Sequence, residues 1–337
     1  MKNWISGHKK IKRILTGVLI GIILFLCRKP IIDGIQEMRR IPADKIVWIV
    51  LLSLCYMTAE GAVVKQVSGI QGRPLSIFKA LECVYYCAFL RIATFGSGAG
   101  LGEIYYLHKG GIETAKATGL SLVQYMLHKI TIALYGITGF LLLYKIIRDY
   151  TGGLLPYMGT AIAITAAIIA GIVFIALPSK ASAWVLSWLV KVGGRHEKVK
   201  KKAEFLSEQA RLLQEASAEM LKEGRTLIKI ILLNLFKFTC WYLIPFVVYG
   251  KYGELSAVGW IAFTALTNML AGVIPAPSGL GALEAVFVVI YSSVIGKERS
   301  ISLAIIYRLV TTFLPFAIGS IMAWNQSKSK EEIKITD

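Results

Sequence analysis

The stretches "SGAGLGE" at residues 97–103 and "SGLGALE" at residues 278–284 share the pattern S-G-x-G-x-x-E, and each interrupts a long apolar run. Glycine at this density weakens a continuous helix, and a carboxylate beside it is unfavourable where no water is at hand. The chain does this twice, so the reading of these two stretches decides the fold.

Their surroundings are those of a membrane protein. Of 337 residues, 55% are hydrophobic and 17% charged, and the mean hydropathy is +0.62, outside the range of a soluble domain. A hydrocarbon core of roughly 30 Å takes about 20 apolar residues as a helix. The segments 46–64, 117–144, 154–177, 226–249 and 300–324 meet that length. Lipid offers backbone groups no partner, so these are read as helices; the period-two alternation of a membrane barrel is absent. A shorter run at 14–27 follows Lys9, Lys10, Lys12 and Arg13 in the manner of a signal peptide. No small-x-small cleavage site follows it, and it reads as a short first membrane helix lengthened by snorkelling of Arg13, Arg28 and Lys29.

Net charge is +18. In a soluble protein that would point to nucleic acid, but here the positive-inside rule accounts for it and no nucleic-acid partner is expected. Five cysteines lie in apolar runs without a C-x-x-C pair and four histidines are scattered, so neither a metal site nor a cofactor is expected. With the N-terminus in the cytoplasm, the polar stretch 178–225, which holds ten Lys and Arg, also falls inside. Residues 77–107 then begin and end on one side although they are largely apolar, and they read as a re-entrant hairpin turning at "FGSGAGLG", 95–102. Residues 257–295 do the same from the opposite side, turning at "IPAPSGLG", 274–281, although two full crossings would serve the charge count equally. That count is 22 basic residues inside and 10 outside. Both termini are thereby placed on the cytoplasmic side of the cell membrane.

The expected architecture is an all-α polytopic membrane protein with about six full membrane helices and two re-entrant hairpins in an inverted repeat. It forms a single domain over 1–337, with repeat one at about 46–147, repeat two at about 226–324 and a cytoplasmic amphipathic helix at about 197–223. That helix carries a narrow seam of Val199, Ala203, Leu206, Ala210, Leu213, Ser217 and Met220. The seam either packs under the bundle, or serves self-association or anionic lipid through Lys198, Lys200, Lys201 and Lys202.

Inside the membrane segments lie six basic residues (Lys79, Arg91, Lys129, Lys229, Lys237, Arg308) and four acids (Glu60, Glu82, Glu103, Glu284). An intramembrane charge costs roughly 2.5 to 3.5 kcal/mol on insertion scales, so its reading is functional. Lys129 follows Glu103 by 26 positions and Arg308 follows Glu284 by 24, so each hairpin is succeeded by a helix with a base near its middle. Inverted repeats with broken helices characterise transporters whose site lies where the breaks meet. The candidate binding residues are therefore Glu103, Lys129, Glu284 and Arg308, with Arg91 auxiliary. The candidate turn residues are Gly98, Gly100, Pro275, Pro277, Gly279 and Gly281. Lys129 and Arg308 suit a phosphate, aided by the half-helix N-termini, while Glu103 and Glu284 suit a headgroup amine or pair with the bases when no ligand is present. Lys237 is read as snorkelling or facing the bundle, and His128 as a hydrogen-bonded interior histidine.

Two stretches, "GSGAGLGEIYYLHKGGIETAKATGLSL" (96–122) and "LAGVIPAPSGLGALEAVFVVIYSSVIG" (270–296), resemble the membrane region of the lysylphosphatidylglycerol synthase/flippase family, also called the multiple peptide resistance factor family. The similarity runs over about 10–325; at the first turn, where the family often has Pro-Gly, this chain has Thr94-Phe95-Gly96. The resemblance implies a lipid translocator of a bacterial cell membrane. Full-length members add a soluble domain that transfers lysine from lysyl-tRNA to phosphatidylglycerol, and with thirteen residues after Trp324 no such domain is expected here. The expected function is movement of a phosphate-bearing, possibly aminoacylated, phospholipid or polyprenyl-phosphate headgroup between leaflets. The alternatives are a membrane-embedded headgroup transferase, or a scaffold for a separate synthase partner, with homo-oligomerisation open.

Overall fold

The computed structural model describes residues 28–177, 197–252, 254–274 and 281–332, with the isolated positions 18, 21, 22, 25, 182, 184, 185, 187, 276 and 279. The expected first membrane helix at 14–27 lies almost wholly outside the described residues. Pro275 and Pro277 also lie outside them, as do the side chains of Lys198, Val199, Lys200, Lys202 and Ala203.

Regular structure among the described residues is helical throughout. In chain order come α1 (Arg28–Met38), α2 (Ala43–Gly69), α3 (Ile77–Ala93), α4 (Ala99–Lys109), α5 (Thr114–Leu142), α6 (Tyr144–Thr151), α7 (Leu155–Ala176) and α8 (Glu197–Lys222). There follow α9 (Gly224–Tyr249), α10 (Ala257–Ala271), α11 (Ala282–Ile295), α12 (Lys297–Arg308) and α13 (Leu314–Glu332). Five runs have the length and apolarity to cross a bilayer: α2, α5, α6 with α7, α9, and α12 with the first part of α13. The chain is a multi-pass membrane protein.

Two pairs of helices are shorter. α3 has 17 residues and α4 has 11, while α10 has 15 and α11 has 14. At about 1.5 Å per residue none of the four reaches the roughly 30 Å of a hydrocarbon core. Sequence composition explains where each pair breaks. Glycine and serine supply no apolar side chain for a continuing helix, and the backbone at Gly279 and Gly281 has φ of +66° and +83°, which disfavours a side chain.

Burial separates the runs. In α12–α13, 61% of the most apolar window is buried, against 6% in α6–α7, so the former is central and the latter lies at the periphery. α2 packs along α9, with the rings of Tyr56 and Trp241 stacked, and α13 packs along α3. α12 and α13 are joined by a π-turn, Leu309–Phe313. Pro315 follows at once and has no N–H to give the carbonyl of Thr311, so the widened turn falls where a regular ladder would lose a bond. The amphipathic helix α8 docks on α5 and α7 through the second half of its seam: Ala210, Leu213, Ser217 and Met220 are buried, and Gln214 donates to the Ile175 carbonyl at 2.8 Å. Leu206, in the first half, stays exposed.

With lipid outside, helices gain nothing from hydrophobic transfer and rely on close approach of small residues. Gly139 meets Ala262 of α10, and Gly319 lies against the backbone of Tyr85. A methyl group at 319 would overlap the Tyr85 carbonyl, whereas one at Gly159 or Gly171 would meet nothing. Gly319→Ala is therefore expected to lower stability by about 1–3 kcal/mol, read as a lower thermal midpoint in detergent, while Gly159→Ala leaves the midpoint in place.

Candidate functional site

The break before α11 is organised by two charges. Gly281 caps α11, and its N–H donates to Glu284 Oε2 at 2.9 Å. The other carboxylate oxygen accepts from Arg308 Nε at 2.8 Å, and Arg308 Nη2 donates to Oε2 at 3.3 Å. Arg308 also donates to the Gly279 carbonyl and, at 3.4 Å, to Thr312 Oγ1. The guanidinium fork thus spans the turn, the start of α11 and the π-turn at the end of α12, a use that its planar donors allow and a lysine ammonium does not. Glu284 and Arg308 were both candidate residues from the sequence, and the structure brings them together.

Arg308 opens onto a cavity of about 620 Å³, a size common for small-molecule sites. Glu103, Lys129 and Arg91 line the same cavity, with Gly96, Ser97 and Gly100 from the break before α4. Four of the five candidate binding residues therefore face one space, and the fifth, Glu284, is bonded to one of the four. Glu103 Oε2 accepts from Ser121 Oγ at 3.2 Å, while Oε1 is buried without a hydrogen-bond partner. The Lys129 ammonium lies 5.4 Å from the centre of the Tyr125 ring and has no ion-pair partner among the described residues.

The first break differs in detail from its sequence reading. Gly98 is the N-cap of α4, its N–H donating to Thr94 Oγ1 at 2.6 Å, and Gly100 lies within the first turn of that helix. Within the expected turn, 95–102, the positive φ values fall at Phe95 and Gly96, at 53° and 107°. Thr94 supplies the reason: its hydroxyl holds the N–H of Gly98, which lets α4 begin at once and leaves the positive-φ positions at the N-terminal end of the turn.

A second ion pair was missed. Lys237 of α9 is fully buried and bonded to Glu60 of α2. Gln124 Nε2 donates to Glu60 Oε1 at 3.3 Å, and His128 Nδ1 lies 3.3 Å from Lys237 Nζ. An ammonium only donates, so Nδ1 accepts and the imidazole proton is on Nε2. The aromatic faces of Phe238 and Tyr56, with centroids 5.2 Å and 5.7 Å from Nζ, complete its surroundings. Lys237 does not snorkel. The available signal was two intramembrane charges of opposite sign, Glu60 and Lys237, but 177 positions separate them. Glu60, Gln124 and His128 also line the cavity, so each ion pair puts one charged member on its wall: Glu60, bonded to Lys237, and Arg308, bonded to Glu284.

Compared with known families, residues 14–319 match the family described as lysylphosphatidylglycerol synthase TM region. No curated protein matches the chain.

Removing one member of a buried pair leaves the other charge without compensation, at roughly 3–5 kcal/mol. Lys237→Met is expected to lower the thermal midpoint in detergent strongly. Joined to Glu60→Gln it should recover most of that loss, because neither charge is then buried alone.

Proposed function

The chain belongs to the lysylphosphatidylglycerol synthase transmembrane-region family, and from that premise we propose that it is a lipid translocator, carrying a phosphate-bearing headgroup between the leaflets of the membrane. One observation carries this reading: a single cavity receives charged side chains that follow both broken helix pairs, Glu103 and Lys129 from one and Arg308 from the other.

On this reading α3 with α4 and α10 with α11 are two re-entrant hairpins entering from opposite faces, and residues of about 46–147 and 226–324 are inverted copies. Support comes from the four helices, each too short to cross alone, and from the bases placed 26 and 24 positions after the two carboxylates. The basic excess supports a cytoplasmic position for both termini and α8.

The residues divide the work by chemistry. Arg308 and Lys129 take the phosphate, the first with a bidentate fork and the second as a point charge. Arg91 adds positive potential at the cavity wall. Glu103 offers an orphaned acceptor to a hydroxyl or an amine on the headgroup, which suits glycerol and aminoacyl esters alike. Glu284 holds Arg308 in place and exchanges with the phosphate when lipid is bound. Glu60 on the cavity wall is answered by Lys237, so that pair adds no net charge, and an anion is drawn toward Lys129 and Arg308.

The test is lipid movement in liposomes containing the purified protein. Lys129→Ala and Arg308→Lys are each expected to slow transfer of labelled phosphatidylglycerol by about tenfold or more, since an intramembrane charge-assisted contact is worth at least about 1.4 kcal/mol. Lys229→Ala, whose side chain is exposed and away from the cavity, should transfer at the wild-type rate. Wild-type rates in both cavity variants would overturn the proposal.

A further inference from the structure

A smaller groove of about 280 Å³ runs beside the charged cavity. Its walls are Ile132 of α5, Ile168, Ile169 and Ile172 of α7, and Met269 and Val273 at the end of α10. Tyr125, Lys129 and Asn268 line both spaces, so groove and cavity adjoin at these three residues. Ile168 faces the groove while about half exposed on the peripheral helix α7, so the groove reaches the lipid-facing surface of the protein.

We propose that this groove holds an acyl chain of the lipid whose head occupies the cavity, with Lys129 at the junction of head and tail; the proposal rests on the translocation reading above.

Chemistry selects the occupant. The volume falls just below the roughly 300 Å³ at which self-contained small-molecule sites begin, so the groove is an extension of the cavity rather than a separate pocket. Apart from Tyr125 and Lys129 at the junction, its polar side chains already make hydrogen bonds: Thr165 donates to the Ala161 carbonyl at 2.8 Å, and Asn268 donates to the Thr264 carbonyl at 2.9 Å. A headgroup or a string of waters finds few partners among the isoleucines. An anionic phospholipid fits both ends, with a charge where Lys129 stands and hydrocarbon beyond it.

Moving a chain from the bilayer into an isoleucine-lined groove exchanges one apolar surrounding for another, so the groove adds little affinity. What it changes is the route. Without it an acyl chain following its head would have to cross the charged cavity wall, and with it the chain slides between α5 and α7 while the head passes among the charges.

The experiment uses the full chain in phosphatidylcholine vesicles containing a phosphatidylglycerol with a diazirine at the end of one acyl chain. After irradiation, adducts are mapped by mass spectrometry, and lipid movement is measured on the same vesicles. Adducts are expected at Thr165, Ile169, Ile172 and Val273 in about tenfold excess over the lipid-facing Ile228 and Leu232 of α9. Unlabelled phosphatidylglycerol should compete for the groove positions and diacylglycerol should not, because only the former engages Lys129. Ile169→Trp, which fills the groove, should lower the groove adducts and slow movement while leaving those at Ile228 unchanged; the wild-type map decides the question if this variant does not fold. Adducts spread evenly over the lipid-facing helices, without competition, would overturn the groove even where lipid moves. Groove labelling with no lipid movement would instead overturn translocation and leave the groove standing.

Discussion

A charge taken into a membrane must be answered by another group of the same protein, because hydrocarbon supplies neither a counter-ion nor a hydrogen bond. That constraint shapes the interior of this chain. Arg308 is answered by Glu284 and by the Gly279 carbonyl, and in satisfying it the chain ties together a glycine turn, the start of α11 and the end of α12. Lys237 is answered by Glu60, which holds α9 against α2. The two pairs are at once the polar wall of the cavity and fastenings between helices, so the site and the packing of the bundle are not independent of each other.

The pairing also explains why the broken helices are tolerated. A turn in the apolar interior exposes carbonyl groups that a continuous helix would satisfy. Near Gly279 that role falls to the Arg308 fork, and near Thr94 it falls to local contacts, the threonine hydroxyl for the Gly98 N–H and the Arg91 carbonyl for the Gly96 N–H. The second break therefore depends on a charge from another helix, whereas the first is largely self-contained.

This difference marks how much could be read from the sequence. The apolar runs that give α2, α5, α7, α9 and α12–α13 are long and contiguous, and their signal is local. The Glu284–Arg308 contact was accessible because motif and base recur at nearly equal spacing in both halves. Gly279 and Gly281 were accessible as small residues interrupting an apolar run, and their positive φ is the reason glycine stands there. Glu60 and Lys237 were visible only as single charges; which helix faces which is decided by packing, through small residues such as Gly139 and Gly319, and no short-range pattern encodes it. Within the first turn, 95–102, glycine content marks where a chain can bend, whereas Thr94 and its hydrogen bond set which residues there take positive φ. The seam of α8 was legible as a helix face, but only docking distinguishes its buried second half from the exposed Leu206.

The two halves answer their charges unequally, and the inequality bears on where a ligand is held. Glu284 has both oxygens bonded and Arg308 has a carboxylate, a carbonyl and a hydroxyl within reach, so that pair is closed. The corresponding residues of the first half, Glu103 and Lys129, are not bonded to each other: one carboxylate oxygen has no donor and the ammonium rests against a tyrosine ring. A buried acceptor left without a donor is unfavourable by roughly 1–3 kcal/mol, a deficit that a bound headgroup bearing hydroxyl or amine donors would remove. A phosphate drawn to Lys129 would meet the same lipid's donors at Glu103, and only then would it need to loosen the Arg308 pair. Binding would begin at the open half, where no existing bond must be broken, and proceed toward the closed one.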